Sequence, residues 1–265
     1  MMTWNPYSAI WWGDEMNLEA SIIGLRTIVQ FSVKKLLLHK RWVIVAMLTL
    51  LVAGVMGYVA TLSDADISTA SNMMNLLMLT FLLPVLALIY GASMIRNEID
   101  DRSIIQVITS PLDRRVAYLG YYISLAVVLS ILLSIVTAVG GICFFLMNGW
   151  SDGAAELITT FIAVQVIGAI VYSALFLVMG VALKQPIYLG LVYAFVWEGF
   201  VGSVPGAIGE YTIRYQLQVI ASGMLHDGNI AITGGDGGMA AIILIVLSIV
   251  FLALGASLFR NKEVM

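Results

Sequence analysis

The sequence predicts an all-α integral membrane protein with six transmembrane helices, and three observations carry that prediction. The 265 residues are 61% hydrophobic and only 11% charged, where a soluble domain is about 45–50% apolar and about 25% charged. Six nearly uncharged runs are each long enough to cross about 30 Å of hydrocarbon, which takes about 20 residues in a helix. Twelve of the 13 Lys and Arg residues fall on one side of the membrane that these runs define. Charges this few and this clustered cannot form a soluble exterior, so lipid must cover the rest.

The first twenty residues carry Asp14, Glu15 and Glu19 and no Lys or Arg. A signal peptide starts basic, so this segment is expected to be retained, and Trp4, Trp11 and Trp12 suit the headgroup level. From Leu18 to Arg41 the residues Leu18, Ile22, Leu25, Ile28, Val29, Ser32 and Leu36 recur at helical spacing, with bases gathered at the far end. This predicts an amphipathic helix on the inner membrane surface. Residues 1–41 are therefore read as a cytoplasmic segment with an interfacial helix.

The spans are placed at 42–62, 73–95, 116–147, 156–183, 186–205 and 239–259. Arg26, Lys34, Lys35, Lys40 and Arg41 precede the first, and Arg96, Arg102, Arg114 and Arg115 separate the second from the third. Lys184 lies between the fourth and fifth, and Arg260 and Lys262 follow the sixth. Basic residues in short loops stay inside, which assigns both termini, the 96–115 loop and the 260–265 tail to the cytoplasm. Pro84 removes an N–H within the second span and is a hinge candidate. The extracytoplasmic loop 206–238 has two parts: an amphipathic stretch from Tyr211 to Leu225, with Ile213, Leu217, Ile220 and Leu225 on one face, then a flexible glycine-containing stretch. It is either a surface loop or a re-entrant, pore-capping element, and the pattern leaves both open.

In the 96–115 loop, Ile95, Ile99, Ile104, Ile105 and Ile108 recur at near-helical spacing, while Arg96, Glu98, Asp100, Asp101 and Arg102 can face water. Ser110-Pro111-Leu112-Asp113 then fits a capped helix start, with Ser at the N-cap and Pro in the first turn. The loop is thus expected to hold a short amphipathic helix followed by the start of the third span.

At Glu98, Ser103, Pro111 and Arg114 this loop resembles that of ABC-2 superfamily permeases. They carry Glu, then Gly-Thr, an apolar stretch, Pro and Arg ahead of the third span. The chain departs from the pattern in having Arg102 for Gly, Ser103 for Thr, and Tyr121 where Lys commonly follows Gly120. The layout of spans, the termini and the N-terminal helix resemble the family over nearly the whole length. The resemblance implies a permease subunit that forms a translocation pathway, dimerises with itself or a sister permease, and exports a substrate. It also implies that Glu98, Ser103, Ile104, Ile105, Ile108, Pro111 and Arg114 couple the chain to ATPase subunits, which bind ATP and Mg in its stead.

No G-x-x-x-x-G-K-[ST], H-E-x-x-H or G-x-S-x-G occurs, so neither a P-loop ATPase nor a zinc or serine hydrolase is expected. His39 and His226 fall on opposite sides of the membrane, Cys143 stands alone, and a net charge of -3 argues against a nucleic-acid partner. No catalytic, cofactor or metal residue is assigned to the chain. Glu198 is the one ionisable group well inside a span, and such groups face a bundle interior or a wet cavity. It keeps a proton-coupled secondary transporter as an alternative beside a non-transporting scaffold. Its plainer reading is a hydrogen-bonded packing residue.

Overall fold

In hydrocarbon every backbone N–H and C=O must be satisfied within the protein, and helices do this locally. The computed structural model describes residues 24–34, 36, 41–62, 65–100, 114–203, 209–225 and 235–261, and among them no strand occurs. Helix α1 covers 24–34, followed by α2 (Arg41–Ala60), α3 (Ile67–Met74) and α4 (Leu83–Asp100). Between α3 and α4 lies a π-helical segment, π1 (Asn75–Leu82). Then come α5 (Arg114–Asn148), α6 (Ala154–Ala182) and α7 (Pro186–Val192), which continues into a second π segment, π2 (Tyr193–Phe200). The chain ends on α8 (Ile213–Met224) and α9 (Gly237–Asn261).

Among the described residues five helices are long and apolar enough to cross a membrane: Val43–Ala60, Ile67–Ile95, Arg114–Asn148, Ala154–Ala182 and Gly237–Arg260. The run expected at 186–205 is a shorter apolar helix, Pro186–Phe200, no longer than about 22 Å at 1.5 Å per residue. It ends because the chain tightens into a 3-10 turn at Val201–Ser203. The second helix starts at Ile67 rather than at the apolar run from 73. Its N-cap is Asp66, whose carboxylate accepts from the Thr69 N–H and from the Ser68 and Thr69 hydroxyls, each at 2.8 Å. A capping Asp outweighs weak hydropathy over the first turn.

Pro84 explains π1. It has no N–H, and its ring crowds the carbonyl four residues back, so the preceding turn opens to wider spacing. Leu83 N–H donates to the Met78 carbonyl, five residues back, and the Thr80 hydroxyl donates to the Asn75 carbonyl at 3.3 Å.

Helix α6 is the centre of the bundle and packs against α4, α5, α7, α8 and α9. Glycine lets α4 and α6 close on each other: a Cβ on Gly91 would stand 2.9 Å from Phe176 Cβ, and one on Gly180 3.0 Å from the Ala92 carbonyl oxygen. Helices α2 and α9 lie at the periphery and turn Met47, Leu50, Ile245 and Ile249 outward. At one end of the bundle Arg114 Nη1 donates to the Arg260 carbonyl at 3.1 Å. At the other, Asn148 Nδ2 donates to the Ala65 carbonyl at 3.0 Å. The apolar side of α1, expected on the membrane surface, rests on the protein, with Leu25 and Ile28 against Gly120 of α5. Its exposed side carries Arg26, Gln30, Phe31 and Lys34.

Two predictions follow from this packing. Gly91→Leu forces α4 off α6 and should cost about 1–3 kcal/mol, the usual range for overpacking, read as a lowered unfolding midpoint in detergent. Gly54→Leu, with nothing within 4 Å of its Cβ, should be silent. The Thr69 amide bond, followed by the two hydroxyls, holds the Asp66 carboxyl below its ordinary value of 3.8. A depressed carboxyl contributes above its unfolded value and loses its contribution as pH falls through the folded one. The Thr69 amide protection factor should therefore hold down to about pH 4 and decline below it, and Asp66→Ala should abolish the protection at every pH.

Candidate functional site

One of the two π-helical departures from regular bundle geometry among the described residues holds Glu198. In α7 and π2 only Pro186, Gly190, Ala194 and Glu198 are buried, one in every four residues. The first three are small and seat the helix against α4, where Leu88 fills the space a side chain on Gly190 would need. Glu198, with no exposed surface, ends this stripe and points its carboxylate at the first turn of α8. Oε2 accepts from Arg214 N–H at 3.0 Å, and Oε1 from Ile213 N–H at 3.3 Å and from the Tyr193 hydroxyl at 2.6 Å.

The first amides of a helix have no partner inside it. In α8 the first two go to Glu198, and the third, Tyr215 N–H, goes to Thr212 Oγ1 at 3.3 Å. Glu198 is thus a second N-cap supplied from another helix, a placement that also suits a negative group at the positive end of a helix dipole. Arg214 turns back on the same residue, its Nη1 donating to the Glu198 carbonyl at 3.4 Å. The Tyr172 hydroxyl, fully buried on α6, approaches the carboxylate but makes no hydrogen bond of good geometry.

The Tyr193–Glu198 bond reports the π turn. In an α-helix, residues five apart point about 140° from each other; the wider π turn brings them to one side. A second polar anchor reaches α8 from the other π segment, where Gln218 Nε2 donates to Asn75 Oδ1 at 2.7 Å. The two segments also touch through Phe81 and Phe195, whose rings lie 6.4 Å apart.

Helix α8 lies inside the bundle. Ile213, Leu217, Ile220 and Leu225 are all buried, in line with the face read from the sequence. A Cβ on Gly168, the midpoint of α6, would stand 3.0 Å from Leu217 Cδ1. Two residues on, near the middle of α8, Val219 packs on Gly235 just ahead of α9. Leu217, on the second turn of α8, thus reaches the middle of α6, and the apolar face of the helix lies against the protein.

Of the residues singled out from sequence, Pro84 borders π1, Arg114 holds the Arg260 carbonyl, and Glu198 caps α8. Glu98 lies on the helical extension of α4 with its side chain outside the described residues, and Ser103, Ile104, Ile105, Ile108 and Pro111 lie wholly outside them. Tyr193, Asn75 and Gln218 were not anticipated. Arg214 carried a signal, being the one basic residue that the charge pattern of the sequence sets apart from the other twelve. Among the described residues no three of His, Cys, Asp and Glu converge where a metal ion could sit.

Removing the carboxylate leaves buried amides unpaired, at about 1–3 kcal/mol for each group. Glu198→Ala should lower the unfolding midpoint more than Tyr193→Phe, and amide exchange should quicken at Ile213 and Arg214 before any other part of α8.

The family model described as ABC-2 family transporter protein matches residues 32–198. The match runs from α1 to Glu198, leaving α8 and α9 beyond it. No curated protein matches the sequence.

Proposed function

The chain belongs to the ABC-2 transporter family and is a multi-pass membrane permease, and from that premise we propose that it forms the translocation pathway of an exporter driven by separate ATPase subunits. The observation that carries this reading is the family match over 32–198. The partner ATPase binds ATP and Mg, and this chain supplies the pathway and the docking loop. Six membrane-crossing segments, with Pro186–Phe200 as the short fifth, leave both termini and the basic ends of α5 and α9 in the cytoplasm of a cell membrane.

The docking element is the loop that joins α4 to α5. The α4 helix runs past its apolar stretch to Asp100, and α5 resumes at Arg114, so both helices carry the loop beyond the hydrocarbon. A short amphipathic helix is unstable alone in water, and the side bearing Ile104, Ile105 and Ile108 needs a groove to rest in. Burying one such side chain is worth roughly 1.5–3 kcal/mol. Glu98, Ser103, Pro111 and Arg114 shape the loop, and Arg114 ties its exit to the last helix.

A second permease copy completes the pathway. Helix α7 with π2 buries one narrow stripe and turns out Tyr188, Phe195, Trp197 and Phe200. Its broken end at Val201–Ser203 would be costly against lipid, which favours protein on that face. The buried carboxylate keeps one second reading in view, a carrier driven by protons through Glu198. Against it stands the engagement of that carboxylate by three donors.

Copurification with a P-loop ATPase is the deciding measurement. Ile105→Asp should reduce the recovered ATPase at least about tenfold, as loss of roughly 1.5–3 kcal/mol requires, with membrane insertion unchanged. Asp101→Ala should retain it. Transport should stop when the ATPase loses its catalytic carboxylate and continue when the proton gradient is collapsed; the reverse pattern, with Glu198→Gln inactive, would establish the carrier instead.

A further inference from the structure

The polar side chains of the membrane-crossing helices are turned inward: Ser124, Thr137, Gln165, Ser173 and Glu198 are all buried. In the five long helices and in α7 with π2, the exposed charges among the described residues are Arg115, Glu156 and Arg260, each within three residues of a helix end. Away from those ends the exposed polar side chains, tyrosine and tryptophan aside, are Asn72, Thr159 and Ser257. Thr159 and Ser257 donate their hydroxyls to carbonyls of their own helices. The remaining outward surface is apolar, as in the α5 stripe Ile123, Val127, Ile131 and Ile135.

The buried polar groups do not line a conduit inside one copy. Around α6 the helices close to contact, and at Gly91, Gly168 and Gly180 there is no slack for an added Cβ. A pathway formed between two copies is therefore walled by outward surfaces alone. A solute crossing there meets no charge and almost no hydrogen-bonding group. Moving an ion or a many-hydroxyl solute from water into such surroundings carries a desolvation penalty for every group left unpaired, whereas an apolar body is at home in them. The face of α7 and π2 is the extreme case. It exposes Ile187, Val192, Phe195, Val196 and Phe200, and Phe81 of π1 extends it, with its ring 6.4 Å from that of Phe195. The polar atoms that its exposed side chains hold are the Tyr188 hydroxyl near its start and the Trp197 indole N–H near its end.

We propose that the cargo of this permease is a membrane-partitioned amphiphile, which enters from the bilayer and moves along the α7 and π2 faces of two copies without passing through an aqueous pore. Its apolar body rests on Phe195 and Val196, and the two donors stand near the ends of the face, where its polar group enters and leaves. Inorganic ions, free sugars and hydrophilic peptides are excluded as cargo. The proposal rests on the permease reading, and the test separates the two.

The full permease is combined with its ATPase in lipid nanodiscs. The background is Cys143→Ser, which keeps a donor for the Ala53 carbonyl. Phe195→Cys is the reporter, with Val192→Cys on the same face as the second choice if the first does not accumulate. An apolar reagent, N-pyrenylmaleimide, is compared with a sulfonated maleimide, and Glu210→Cys, exposed ahead of α8, corrects for intrinsic reactivity. During ATP turnover the corrected rate should be at least about tenfold higher for the pyrene reagent, since the apolar face excludes the sulfonate. A smaller ratio means that water reaches the face, and it overturns the proposal. Reaction with neither reagent at 195 and 192 overturns it as well, because nothing then passes there. The pyrene adduct at 195, standing in for cargo, should change ATP hydrolysis at least about twofold, while the same adduct at Ile131→Cys, on the α5 stripe, should not. Equal hydrolysis with the two adducts overturns the assignment of the cargo to this face. A permease that recovers no ATPase counts against the permease reading instead; a bound, active ATPase above a hydrated position 195 sinks the cargo class alone.

Discussion

The structure depends on an electrostatic obligation: the amides at the start of α8, placed deep among apolar helices, need an acceptor, and the Glu198 carboxylate is that acceptor. A helix ending at the membrane surface gives its first N–H groups to water. One beginning against apolar helices cannot, and Glu198 takes the first two amides of α8 in place of water. The arrangement also explains why an acidic residue is tolerated in an otherwise apolar helix. Its two oxygens are engaged by three donors, and Arg214 lies beside it.

The rest of the bundle is arranged to make room for this insertion. Helix α6 is lined by neighbours along its length, and its glycines decide how near they come: Gly180 and its partner Gly91 draw α4 in, while Gly168 accepts Leu217. Helix α7 meets α4 through small residues at every fourth position, so it sits tight there and leaves its remaining surface for other contacts. The wide turns π1 and π2 occur where α4 and α7 pass α8. In both, a side chain or a proline takes up the extra residue.

Much of this was legible in the sequence. Hydropathy locates the long helices because solvent by lipid is a one-dimensional signal, readable residue by residue. The apolar face of α8 was visible in Ile213, Leu217, Ile220 and Leu225, since burial on one side leaves a helical period whatever lies opposite. The start of the second helix at Ile67 was missed because hydropathy is blind to the Asp66 cap. The break after Phe200 and both π segments were missed because they depend on how one helix meets another. That Arg214 and Glu198, sixteen residues apart, were both exceptions to the apolar and charge pattern pointed to the region, but their contact runs through backbone groups, the Arg214 N–H to the carboxylate and the guanidinium to the Glu198 carbonyl. Gln218 and Asn75, 143 positions apart, left no such trace.

The clasp between Arg114 and the Arg260 carbonyl has a mechanical consequence. It joins the foot of α5 to the foot of α9, so a force applied where the 101–113 segment enters α5 is borne by two struts rather than one. Helix α9 in turn leans on α8 along Val219 and Ile220. The molecule therefore contains a continuous load path from one face to the other, built from a single hydrogen bond at the base and close packing above it, and its stiffness is set by its weakest joint, the exposed contact at Arg114.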